Sequence, residues 1–144
     1  MTSSLHVTFR VGTAEYVVPA AQVLHLESFE TATHVPGAPS YVAGLVQVRG
    51  RVVPVVDLRK RFGLPPTDHA LAHRVVVVQV GARVAGLLVD SAREVIQLDD
   101  ASFQDAPALI VQQANGLVTG VVTVRERLFL VADVSRLIGQ EPAS

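Results

Sequence analysis

Cysteine is absent from this sequence of 144 residues, so neither a disulfide nor a thiol nucleophile is available to it. Charge is sparse: 17% of residues are charged against 49% hydrophobic, a balance that excludes a disordered or solvating chain and requires a core. The net charge of -1 leaves no basic stripe to follow a phosphate backbone, and nucleic acid is not expected as a partner. Long apolar runs are missing too. The longest uncharged stretch, Ala106 to Val124, contains Pro107, Gln112, Gln113, Asn115 and Gly116, which a bilayer-spanning helix would not carry, so no membrane insertion is expected. The opening Met1 to His6 has neither a basic region nor an apolar run, so no secretory signal is expected and the address is read as cytoplasmic. Lysine occurs once against eleven arginines, a bias that either codon usage or interface chemistry explains.

What the sequence has in excess is valine. There are 28, and β-branched side chains favour strands over helices. Alternation in Val7 to Val11, then Gly12-Thr13-Ala14 and the run Tyr16 to Val18, predicts a hairpin. Val23 to Phe29 is a further candidate strand, and Thr31 to Ser40, with two prolines, is a loop. Leu45 to Val48 and Val52 to Val56 flank Arg49-Gly50-Arg51 as a second hairpin, in which Pro54 argues for an edge position or a bulge. Arg59 to Phe62 reads as a helical turn ending at Gly63. Strands are then expected at 75–80, 84–89, 94–98, 117–124 and 128–131, with an irregular stretch from 99 to 116. A short terminal helix, Asp133 to Ile138, is capped by Asp133 and stopped by Gly139.

The second half repeats the first. Gly44 to Gly63 laid over Gly120 to Gly139, an offset of 76, gives eight identities in twenty without a gap, among them Arg49 with Arg125 and Asp57 with Asp133. Val23 and Leu26 match Val95 and Leu98 at an offset of 72. Each unit holds about five short strands, a size at which closing the sheet removes its edges. The expectation is a mainly β chain with two five-stranded barrels in tandem, related by internal duplication. The first covers 1–64, a linker 65–73, and the second 74–144. An apolar seam between them is expected to draw on the uncharged run from Val35 to Val48.

Reaction chemistry is hard to find. Asp90-Ser91-Ala92 superficially resembles an aspartic-protease turn, but Ala92 stands where glycine is needed and no second loop matches it; a strand end with Asp90 accepting hydrogen bonds in the turn fits better. His69 and His73 have metal-site spacing, but only Asp68 sits nearby and linker polarity explains the pair, so no metal and no cofactor are expected. There is no phosphate loop, no Gly-x-Ser-x-Gly elbow and no paired glutamate, and the chain is not read as an enzyme. Arg49, exposed at a hairpin tip beside a glycine, is the side chain best placed for a partner.

Val35-Pro36-Gly37-Ala38-Pro39-Ser40-Tyr41-Val42-Ala43-Gly44 leading into Val48-Arg49-Gly50-Arg51-Val52-Val53-Pro54-Val55-Val56-Asp57-Leu58-Arg59 resembles the signature of the CheW family of chemosensory coupling proteins, and Gly86 to Asp90 with Glu94-Val95 resembles its second-half motif. The resemblance implies two SH3-like barrels and a non-enzymatic cytoplasmic adaptor, recruited to receptor arrays. It implies binding to the cytoplasmic tip of chemoreceptors and to the regulatory domain of a CheA-type histidine kinase, with other CheW-like domains as further partners. Matching positions put Val23, Gly44, Gln47, Arg49, Gly50 and Val95 at the protein-binding surface. Three residues depart from the family pattern: His25 where an acidic residue is common, Gln47 for asparagine, and Ala92 for valine. The alternative is a small-molecule-binding or regulatory barrel that does not engage the kinase, marked by a closed pocket with convergent polar groups.

Overall fold

The computed structural model describes residues 2–67 and 73–139. Its strands are β1 (Ser3–Val11), β2 (Ala14–Pro19), β3 (Val23–Ser28), β4 (Val42–Val48), β5 (Arg51–Asp57), β6 (Arg74–Val80), β7 (Arg83–Val89), β8 (Ser91–Asp99), β9 (Phe103–Asp105), β10 (Val118–Val124) and β11 (Arg127–Ala132). Three short helices accompany them: α1 (Leu58–Arg61), α2 (Ala108–Gln113) and α3 (Val134–Leu137). Asp57 caps α1 and Asp133 caps α3, each carboxylate accepting from a backbone N–H of the first turn. α2 falls in the stretch expected to be irregular; it starts after Pro107 and is only six residues long, too short for a clear helical period.

The strands form two sheets, one in the order β8-β1-β2-β11-β10-β9 and one in the order β3-β6-β7-β5-β4. Both curl shut. β8 and β9 lie at opposite edges of the first sheet yet are joined by a single turn at 100–102, so the chain carries one edge round to the other. In the second, β3 forms one edge, and Thr33 just beyond it exchanges two backbone hydrogen bonds, of 2.9 and 2.8 Å, with Leu45 of β4 at the opposite edge. The six-stranded and five-stranded barrels are therefore equivalent, β8 and β9 together matching β3 and its extension. Pro54 is not on an edge strand: β5 lies between β4 and β7. Pairing with β7 begins at Val55, one residue past the missing donor.

Strand pairing overturns the expected division at 65–73. The hairpin β1–β2 pairs with β8 and β11 of the second half, and β6–β7 pairs with β3 and β5 of the first. The halves have exchanged hairpins, and each barrel contains strands from both sides of the linker. Period-two alternation identifies a strand but not the edge it adds to, because pairing partners are non-local.

The register also refines the repeat. The β-bulge between Val42 and Gly44 recurs between Val118 and Gly120, which confirms the offset of 76 for the β4–β5 and β10–β11 hairpins. For β3 and β8 the bulges fall at Leu24 and Arg93, an offset of 69 rather than 72, so Val95 corresponds to Leu26 and not to Val23. The seven extra residues of the second half lie between β8 and β10, where α2 is found.

Three apolar clusters follow from this arrangement. Val48, Val53, Val55, Val75, Val77 and Leu88 fill the five-stranded barrel, and Val17, Leu98, Val122 and Phe129 fill the other. The largest cluster, including Phe9, Val18, Val56, Leu58, Val76, Val78 and Leu87, draws on both sheets and joins them. This explains four consecutive valines in β6. Val75 and Val77 point into a lumen while Val76 and Val78 point into the seam, and a strand covered on both faces needs no polar alternation. The seam is thus made by the exchanged hairpins; of the run from Val35 to Val48, only Tyr41 packs against it, while Val46 and Val48 serve the lumen.

Candidate protein-binding site

The β4–β5 hairpin turns through Arg49 and Gly50, both with positive φ (51° and 80°), the two-residue turn whose twist matches the flanking strands. Arg125 and Glu126 repeat it in the other barrel, at 50° and 68°, so the turn geometry belongs to the duplicated unit. Arg49 is exposed, and its Nε donates to Glu27 Oε1 on β3 at 3.2 Å. A side chain held, among the described residues, only by an exposed ion pair costs little to redirect toward a partner. Gln47 is exposed two residues earlier on β4, and Gln47, Arg49 and Glu27 line one cleft of about 360 Å³ at this end of the barrel.

The remaining sequence-derived positions have other roles. Gly44 is buried at the β4 bulge with φ 143°; a Cβ there would run into the Thr33 carbonyl oxygen at the bridge that closes the barrel. Its requirement is therefore backbone geometry. Val23 is half-buried at the start of β3, opposite Val78, and packs on the seam. Val95 is 56% exposed on β8, in the other barrel, opposite Val7. The structure thus gathers Gln47, Arg49 and Gly50 at one hairpin and leaves Val95 on a separate surface.

Apart from Val95, sequence reasoning missed the apolar residues left in solvent. Leu24 and Leu26 on β3 and Val52 on β5 are exposed on the barrel that carries Arg49. Val95 and Leu128 occupy the positions equivalent to Leu26 and Val52 on the other. Leu109 on α2 is exposed as well. A strand-like run of apolar residues does not say which of them remain uncovered.

Asp90 holds the fold together. Arg59 of α1 donates Nε to Oδ1 at 2.9 Å and Nη2 to Oδ2 at 2.7 Å, and the Gly12 backbone N–H, in the β1–β2 turn, donates to Oδ2 at 2.8 Å. Burial pushes the Asp90 carboxyl up, but the Arg59 guanidinium and the Gly12 N–H outweigh it and hold the group below the usual aspartate range. The same pairing raises Arg59 further above its already basic value. The bond from the Gly12 N–H is the turn-acceptor role expected of Asp90, and the fork-to-fork pairing with Arg59 adds to it. No cluster of three His, Cys, Asp or Glu groups suited to a metal is found among the described residues; His73 is buried, and His69 lies outside the described residues.

A family model described as the CheW-like domain matches residues 5–141. The chain belongs to the CheW-like family. It is 30% identical over 135 residues to chemotaxis protein CheW of Rhizobium meliloti, covering 94% of this chain and 87% of that one. It is 29% identical over 140 residues to chemotaxis protein CheW of Bacillus subtilis, with 97% and 90% covered. The crystal structure of scaffolding protein TtCheW from Thermoanaerobacter tengcongensis superposes with a TM-score of 0.84 at 25% identity, covering 92% of this chain and 90% of that one. The two barrels are thus the paired SH3-like barrels of a CheW-like protein. In this CheW-like chain the three atypical residues are spread out: His25 is half-buried on β3, Gln47 is exposed on β4, and Ala92 is half-buried opposite Phe9.

Proposed function

We propose that this protein is a non-enzymatic coupling adaptor linking the cytoplasmic tips of chemoreceptors to the regulatory domain of a CheA-type histidine kinase. The observation that carries this reading is the exposed Arg49–Gly50 end of the five-stranded barrel. There an arginine tethered, among the described residues, only to Glu27 stands on the same barrel as solvent-facing Leu24, Leu26 and Val52. Apolar anchors with an arginine at their edge are the composition of protein interfaces. Docking there buries the leucines and turns Arg49 toward a partner acceptor. Val23, Gly44, Gln47 and Gly50 shape or flank this region, whereas Val95 lies on a separate surface of the other barrel. Recruitment to receptor arrays in the cytoplasm follows from the same reading; among the described residues no helix is long and apolar enough to cross a membrane. Titration of the protein with the cognate kinase regulatory domain tests the proposal, and absence of binding at tens of micromolar overturns it.

A second reading, a regulatory barrel that binds a small molecule, has one observation in its favour. A cleft of about 590 Å³ between α1 and α2 is lined by Tyr16, Phe62, Ile110 and Leu130 with Lys60 at its edge, and the Tyr16 and Phe62 rings stack at 4.8 Å. Its volume suits a small ligand. Saturable binding of a small molecule in this cleft together with no binding of the kinase domain would favour this second reading.

A further inference from the structure

The two barrels carry the same strands but finish one site differently. In the six-stranded barrel Arg127 is satisfied internally: Nη2 donates to Glu15 Oε2 at 2.9 Å and Nη1 to Glu94 Oε1 at 2.9 Å, with the guanidinium 4.8 Å over the Phe129 ring. The register gives each of these residues a counterpart. Offsets of 76 and 69 place Arg51 where Arg127 stands, Val84 where Glu15 stands, and His25 where Glu94 stands. His25, Val84 and Arg51 indeed line one cleft of about 310 Å³, together with Leu24, Arg49 and Val53.

The arginine has been kept and both of its carboxylates have gone. Arg51 is exposed and its side chain makes no hydrogen bond or ion pair among the described residues. The nearest acidic residue on the strand, Glu27, is committed to Arg49 and does not line this cleft. Among the described residues the cleft therefore holds two guanidiniums and an imidazole side chain, an apolar wall and no carboxylate. A guanidinium that an intramolecular pair of acids satisfies in one copy of the unit is left, in the other copy, without an acceptor among the described residues and beside an exposed leucine.

We infer that a protein partner supplies the missing carboxylate. The occupant is a surface of the kinase regulatory domain presenting an Asp or Glu next to an apolar side chain. The carboxylate pairs with Arg51 in the place of Glu15 and Glu94, and the apolar group packs on Leu24 and Val84. This rests on the adaptor reading and adds the chemistry of the contact: the five-stranded barrel end is the docking end because its arginine is unneutralised, whereas the six-stranded end has closed its own charge.

Isothermal titration of the full chain with the kinase regulatory domain tests this. Arg51→Glu is expected to weaken binding by about 100-fold and Arg51→Ala by about tenfold, the scale of one charge-assisted hydrogen-bonded pair. The double variant His25→Glu with Val84→Glu, which rebuilds the internal arrangement of the other barrel, is expected to weaken it about tenfold while leaving Arg51 in place. A carboxylate-to-arginine change on the kinase domain should restore binding to Arg51→Glu. Wild-type binding with Arg51→Ala and Arg51→Glu both within twofold of it overturns the inference and leaves the adaptor reading standing. No wild-type binding overturns both.

Discussion

Removing the Asp90 carboxylate disconnects three parts of the molecule at once: the β1–β2 turn through Gly12, α1 through Arg59, and the end of β7 that carries Asp90. The side chains of Arg59 and Asp90 are 22% and 19% exposed, between a solvated surface pair worth about 0–1 kcal/mol and a fully buried one whose breaking costs about 3–5 kcal/mol. Asp90→Ala is therefore expected to destabilise the fold by about 2–3 kcal/mol at pH 7. Asp90→Asn, which keeps an acceptor for Gly12 but loses the charge, should cost about 1–2 kcal/mol. For a chain of this size that corresponds to a fall in Tm of about 3–5 °C per kcal/mol. The pH dependence has a definite sign. The folded-state value of Asp90 lies below its unfolded one, so its contribution is fully present above the ordinary aspartate value, near pH 4, and is lost as pH falls through the depressed folded value. Urea denaturation of wild type and Asp90→Asn should show a stability gap that is constant from pH 7 to about pH 5 and shrinks below about pH 4. A gap under about 0.5 kcal/mol for Asp90→Ala, or one that does not close in acid, refutes this account of the pair.

Three further outcomes follow from the same geometry. Arg49→Ala should leave the melting temperature within about 1 °C, since its ion pair with Glu27 is exposed, yet weaken receptor coupling by about 1–3 kcal/mol; equal receptor binding by mutant and wild type would end its role as an anchor. Gly44→Ala should cost more than about 3 kcal/mol or abolish soluble expression, because the new Cβ meets the Thr33 carbonyl and the backbone is strained at φ 143°; a stable variant by thermal melting would contradict the bridge that closes the barrel. Phe129→Ala empties the lumen of the six-stranded barrel and should cost about 3–5 kcal/mol by chemical denaturation, whereas Leu128→Ala, at an exposed neighbour, should change stability by less than about 0.5 kcal/mol.

Much of the local structure could be read without coordinates. Gly50 between two valine runs announced the β4–β5 turn, Asp133 announced the cap of α3, and the offset of 76 between the hairpins is the one the bulged registers show. The candidate site was read unevenly. Arg49 and Gln47 face solvent on the β4–β5 hairpin, but Gly44 is demanded by a close backbone approach to Thr33, and Val95 is the counterpart of Leu26. The error at β3 and β8 has a simple cause: valine and leucine are so frequent here that a slip of three residues still aligns apolar with apolar, and only the hydrogen-bonded register, with its bulges at Leu24 and Arg93, distinguishes the two offsets.

By itself the sequence determined that this chain is a duplicated, valine-rich β protein, because period-two patterning, turn glycines and helix caps act over a few residues and leave their mark in the order of side chains. The tertiary structure alone decided that the halves trade hairpins, that the seam is built from the traded strands, and that Arg127 pairs with two carboxylates while Arg51 has none among the described residues. Those facts depend on which strand edges meet across the linker, and hydrogen bonding between backbones is blind to the side-chain sequence that brings the edges together.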